Sequence, residues 1–304
     1  MAQARLRSSF IYLANAVNDL RGNWIIVAMV LAPLALASAL CLLPDALNIQ
    51  YSVVQTFEPG VSSVAFAGPV QMPYAPVARA APKPVFPSWM TTILHLLDGF
   101  ITLVGVNLIV LCALRRMQSG RRMARPIDEG IAVYREAAGL LGSFVWVSVL
   151  QVLGIAVGAV LLVVPGVLAY VWLYFSQYAL IFDGRQGWSA LLYSRDLMRG
   201  SFFRVALRIV VFLAVWSGFN SWAGGIFFAV SLLAGWVGLI TGALWASIFL
   251  VDLLAVAVLY TTLAFLLAAS LRLYQDMGAV AAEQTALTGV APLPPTAPLP
   301  SVSA

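Results

Sequence analysis

Long runs of apolar residues, broken by short polar stretches, set the pattern of this chain. The runs are continuous and do not alternate with polar positions, which predicts helices over lipid-facing strands. About 20 such residues span a hydrocarbon core. A first span is expected over 24–43, after a basic stretch holding Arg5, Arg7 and Arg21. That stretch is long for the leading part of a signal peptide, so the run reads as a retained span despite the cleavage-like Ala37-Ser38-Ala39. Residues 44–90 hold eight prolines between Pro44 and Pro87 and read as a translocated loop. The second span is expected over 91–114, stopping at Arg115-Arg116.

Residues 140–182 carry no charge and are divided by Pro165-Gly166, which predicts a helical hairpin with legs 140–163 and 167–182 and its tight turn at that pair. A fifth span is expected over 203–232 and a sixth over 247–271. Ala234 to Ala246 is too apolar for an ordinary loop and too short for a comfortable pass, so it reads as re-entrant or interfacial. A seven-span alternative would use residues 223–245. The tail, 278–304, is rich in Ala, Pro, Thr and Ser and is expected to be disordered, leaving 1–277 as one polytopic membrane domain.

Three times a polar or amphipathic stretch ends in glycine, a small polar residue and an aromatic before an apolar run: Gly22-Asn23-Trp24, Gly142-Ser143-Phe144 and Gly200-Ser201-Phe202. Internal repetition constrains architecture. The repeated unit reads as a surface helix, a glycine break and a membrane helix that returns. In the third copy, Ala190, Leu191, Ser194, Leu197 and Met198 make a small, apolar face opposite charges, the pattern of a helix lying in the interface. Gly200 suits a left-handed helix end, and Ser201 can cap the next helix. The expected fold is all-α: a six-span helical bundle of three hairpin units, each preceded by a cytoplasmic interfacial amphipathic helix.

Charge orients the scheme. All 17 basic residues except Arg79 and Lys83 fall on one side of the six spans, which the positive-inside rule makes cytoplasmic, with both termini there. Composition agrees: 62% of residues are hydrophobic and 10% charged, too little polarity for a water-soluble chain of this length. The net charge of +5 comes from arginines beside apolar spans, which argues for membrane orientation and against nucleic acid as a partner. Cys41 lies at the far end of the first span and Cys112 near the cytoplasmic end of the second, on opposite sides of the bilayer, so no disulfide between them is expected.

The segment Val163-Val164-Pro165-Gly166-Val167, the return leg to Phe182-Asp183-Gly184, and then Ala190-Leu191, Ser194, Leu197 and Gly200 resemble one family. Residues 140–208 are similar to the bacterial inner-membrane proteins related to YciC, and to the membrane domain attached to some glycerophosphodiester phosphodiesterases. The likeness is weaker, though order-preserving, over the rest; the Pro-rich loop and tail depart from it. It implies a six-span protein of the bacterial inner membrane. In the phosphodiesterase relatives catalysis resides in a separate soluble domain, for which no segment remains here.

Candidate chemistry is sparse. His95 and Asp98 stand at i and i+3 in the second span and Asp252 lies early in the sixth; such a set could relay protons or bind a cation, or simply reach water at the outer surface. Tyr170, Tyr174, Gln177 and Tyr178 form a stripe that would contact a head group, line a cavity, or bond between helices. Gly154 with Gly158, and Gly238 with Gly242, are pairs that permit close helix approach, either within the molecule or between copies. Arg195, Arg199, Arg204 and Trp188 are candidates for contact with anionic lipid or a partner. No phosphate loop, nucleophile elbow or His/Cys cluster occurs, so neither enzymatic activity, nor a cofactor, nor a metal is expected. The expected partners are anionic lipid head groups and a membrane protein or second copy. The expected role is non-catalytic, lipid-interacting or partner-organising, with a small-solute or ion transporter or channel as the alternative.

Overall fold

A computed structural model of the chain describes residues 6–57, 85–118, 126–199, 201–241 and 243–288. Among these, every regular element is helical: α1 (Ser9–Gly22), α2 (Trp24–Phe57), α3 (Ser88–Phe100), a π-helical stretch (Ile101–Val106), α4 (Asn107–Gln118), α5 (Pro126–Leu161), α6 (Val163–Leu173), α7 (Ser176–Asp183), α8 (Trp188–Leu197), α9 (Phe202–Thr241) and α10 (Leu244–Thr288). Six segments are long and apolar enough to cross a membrane: Trp24–Ile49, Ser88–Gln118, Pro126–Val160, Val164–Asp183, Phe202–Gly238 and Leu244–Glu283.

Several helices run past their expected ends. α2 continues through Pro44 to Phe57. An internal proline removes one amide donor, a loss that membrane helices tolerate, and the residues after Pro44 include no helix terminator. The rest of the expected loop, 58–84, lies outside the described residues. α10 continues to Thr288 through Ala279, Ala281, Ala282 and Ala286, all strong helix formers, so the tail is helical where it is described. α5 begins at Pro126 with Asp128 and Glu129 in its first turn, a favourable helix start, and then passes straight through Gly142. The glycine break expected in the second copy is therefore absent. One interior glycine costs only about 1 kcal/mol, which a 36-residue helix started favourably at Pro126 absorbs. The breaks at Asn23 and before Phe202 are present. Gly200 itself lies outside the described residues.

The hairpin turn also moves. Its extended residue is Leu162 (φ −171°, ψ 152°), and Pro165-Gly166 belongs to the first turn of α6, where a missing N–H costs nothing. Gly166 is needed for closeness rather than for turning: a Cβ there would sit 2.9 Å from the Ala159 Cα, and one on Gly158 would sit 3.0 Å from the Gly166 Cα. Gly154 likewise faces Leu173 within the same hairpin. Ala234 to Ala246 is not a separate element, and the six long apolar segments include no additional pass there. It forms the end of α9, a break, and the start of α10, and Gly238 admits the return because a Cβ there would come within 2.6 Å of the Leu244 Cα. Gly242 lies outside the described residues.

The chain divides into two compact units. The first comprises Met1–Ala35, Ile101–Ala223 and Ala257–Ala304; its core is aromatic, with Phe144, Phe175, Tyr178 and Phe212 almost wholly enclosed. Phe175 meets Tyr174 edge-on at 5.1 Å and Tyr178 at 5.6 Å. The second comprises Leu36–Phe100 and Gly224–Val256 and exposes the large apolar side chains of Phe228, Leu233, Trp236 and Ile240, as a helix long and apolar enough to cross a membrane would.

Candidate functional site

Every arginine among the described residues lies in the first unit. The second unit's described acidic and histidine side chains are Asp45, His95, Asp98 and Asp252.

Within the second unit, the expected His95–Asp98 pair is not made. His95 Nε2 lies 3.0 Å from an Asp45 carboxylate oxygen, and the Ser38 hydroxyl donates to Asp98. The one-turn spacing on α3 thus presents two side chains to two different residues of α2. Asp252 on α10 lies within electrostatic reach of Asp45. Asp45 is the member that sequence reasoning missed, because Pro44 made its neighbourhood read as loop. Among the described residues, no group of three His, Cys, Asp or Glu side chains is arranged to hold a metal ion. Cys41 and Cys112 are both free and buried.

The tyrosine stripe belongs to the first unit and resolves into interhelical bonding. Tyr178 donates to the Leu267 carbonyl at 3.2 Å, Tyr174 and Ser270 share a hydrogen bond of 2.9 Å, and Gln177 donates to Ser148 at 3.2 Å. Tyr170 packs edge-on against Tyr174 at 5.8 Å.

The motif serine has a defined task. α6 and α7 are separated at Tyr174–Phe175, which frees the Phe175 amide and the Trp172 carbonyl. The Ser194 hydroxyl answers both, accepting from Phe175 N–H at 3.2 Å and donating to Trp172 C=O at 2.7 Å. Ala190, Leu191, Ser194 and Leu197 are buried. The apolar face of α8 is thus spent on protein, while Trp188, at 63%, and Arg195 on the same helix stay exposed, as do Arg199 just past its end and Arg204 on α9. Arg195 also touches Asp196 at 3.1 Å.

A second network, absent from the sequence-based expectations, gathers on a short stretch of α10. Arg272 holds Asp19 with two hydrogen bonds of 2.8 and 2.7 Å. Tyr274 donates to Asp183, Gln275 donates to Gln118 at 2.7 Å, and Asp276 accepts from Tyr12 at 2.8 Å. Four of the five residues from Arg272 to Asp276 therefore reach α1, the end of α4 and the end of α7. Arg208 of α9 completes the hold on the N-terminus through the carbonyls of Arg7 at 3.0 Å and Leu6 at 3.1 Å. Burial, and next its bond to Asp276, push the Tyr12 phenol up to about 12. Burial and then the Asp183 charge raise Tyr193, over whose ring the Arg185 guanidinium stacks at 3.9 Å. Nearby, Arg116 joins Glu136 at 2.8 Å and Glu129 at 3.1 Å, tying α4 to α5.

Comparison with known proteins found no matching family model, no matching curated protein and no matching solved structure. The geometry carries the functional reading alone. What it offers chemically is an ionic scaffold, three exposed arginines and an exposed tryptophan in the first unit, and a small polar cluster within apolar helices of the second.

Proposed function

We propose that this chain is a non-catalytic, multi-pass protein of the bacterial inner membrane, akin to the YciC-related proteins, whose cationic surface engages anionic lipid head groups and so organises lipid or a partner around it. The observation that carries the reading is the exposure of Arg195, Arg199 and Arg204, together with that of Trp188, in the unit that holds every described arginine. Arginines at an apolar boundary bind phosphate by charge and by forked hydrogen bonds, and tryptophan favours the same depth. Both termini are assigned to the cytoplasm on the distribution of basic residues. The test is native mass spectrometry of the full-length protein purified with its lipids. Replacing all three arginines by glutamine should reduce bound phosphatidylglycerol or cardiolipin several-fold; unchanged lipid occupancy would overturn the reading.

A transporter or channel is the second reading, favoured by one observation: Asp45, His95, Asp98 and Asp252 all occur in helices apolar enough to span a membrane, where ionisable groups are costly. Ion flux into proteoliposomes that falls in both Asp98→Asn and Asp252→Asn would support it. Absence of flux across monovalent and divalent cations and protons would remove it.

A further inference from the structure

The inner face of α1 buries Tyr12, Leu13 and Ala16 and makes two polar contacts, Tyr12 to Asp276 and Asp19 to Arg272. Its opposite side carries Phe10, Ala14, Val17 and Arg21, which recur at i, i+4, i+7 and i+11 and so form one stripe. Phe10 is 74% exposed and Val17 49%, with Ile11 flanking them at 45%. A surface helix in water keeps such an outer face polar, whereas here Asn18 and Arg21 are its polar side chains among exposed Phe10, Ile11, Ala14 and Val17.

Two further observations say what covers this stripe. Only Asn23 separates α1 from α2, and α2 enters an apolar span at once with Trp24, itself 65% exposed. A helix joined by one residue to a spanning helix is held at the bilayer boundary. Arg21 ends the stripe three residues before exposed Trp24, so a cation and an indole stand close along the chain, the pair that favours the head-group region.

We propose that the outer face of α1 is a membrane-contact surface that lies in a phospholipid leaflet, with Phe10, Ala14 and Val17 below the head groups and Arg21 among the phosphates. The inward polar contacts with Arg272, Asp276 and Arg208 then act as the dock that keeps this face turned to lipid. The surface is independent of Arg195, Arg199 and Arg204, so either proposal can fail without the other.

The test is depth measurement on the full-length protein in nanodiscs of phosphatidylethanolamine and phosphatidylglycerol. Spin labels are placed at Phe10→Cys, Ala14→Cys and Val17→Cys, with unsubstituted protein as the labelling control because both native cysteines are buried. Oxygen, which partitions into lipid, should collide with all three labels several-fold more often than a water-soluble nickel chelate. Chelate-dominated collision at the three positions would overturn the proposal. So would restriction of both reagents, which would mean that protein covers the face. Since labels on a displaced helix would mislead, a second measurement uses the native side chains: Phe10→Ser with Val17→Ser should raise amide exchange over 9–22 several-fold in nanodiscs, and unchanged exchange counts against lipid contact.

Discussion

Arg272 and Asp19, 253 residues apart in the chain, meet in a two-pronged ion pair, guanidinium Nε to one carboxylate oxygen at 2.8 Å and Nη2 to the other at 2.7 Å. The forked geometry fixes both position and rotation, which a single bond would not. Both side chains are about one-third exposed, so screening limits the pair to about 1 kcal/mol. Asp19→Asn should lower the midpoint of thermal unfolding in detergent slightly and raise amide exchange across α1 more than elsewhere. The reciprocal exchange, Asp19→Arg with Arg272→Asp, should recover part of that protection.

Tyr12 and Asp276 carry a topological consequence. Their 2.8 Å hydrogen bond holds α1 against the far part of α10, so the two belong on the same side of a bilayer that the six apolar segments cross. Reporters fused before residue 6 and after residue 288 should therefore report the same compartment, the cytoplasm under the proposed orientation. A fluorescent protein at either end should fluoresce, and a periplasm-dependent phosphatase at either end should be inactive.

Ser194 offers a sharper stability test. Removing its hydroxyl in Ser194→Ala leaves the Phe175 amide and the Trp172 carbonyl unpaired at a buried helix break. The expected loss is about 1–3 kcal/mol, read as a lower thermal midpoint in detergent. Ser194→Cys, a weaker donor and acceptor of similar size, should fall between the two.

Glycine substitutions should split by surroundings. Gly166→Ala would bring a methyl to 2.9 Å from the Ala159 Cα, against backbone that cannot swing aside, and should cost about 1–3 kcal/mol. Gly225→Ala meets nothing within 4 Å and should be neutral or stabilising by up to about 1 kcal/mol. Equal effects in thermal unfolding would contradict the close packing of α5 on α6.

Alkaline pH should expose the Tyr12 contact. Its phenol is raised from the usual 10 to about 12 in the folded protein. Between those values the folded state retains a proton that the unfolded chain releases, so stability conferred by this group is complete below pH 10 and is lost as pH rises toward 12. The difference in thermal midpoint between the unsubstituted protein and Tyr12→Phe should shrink across that window; a constant difference would show that the contact does not depend on the proton.

The polar cluster shows how far local reading reaches. His95, Asp98 and Asp252 are visible because each is an ionisable group inside an apolar run. Their partners are not: Asp45 sits behind Pro44, and Ser38 looks like any small residue of a span. In the same way, the spacing of the tyrosine stripe announces a face, while the choice among head group, cavity and neighbouring helix needs Ser270, Leu267 and Ser148 to be in place.

From its sequence alone this chain is a helical protein with six apolar segments and its cations gathered beside particular span ends, because crossing a bilayer depends on the hydrophobicity of consecutive residues and on nearby charge. Only the tertiary structure decided that Leu162 makes the turn, that α5 passes through Gly142, that Ser194 mends the break before Phe175, and that residues 272–276 draw distant segments together. Each of these is a property of a pair of groups brought together from afar. A hydrogen bond or a close backbone approach has no signature in either partner's local sequence until folding sets their distance.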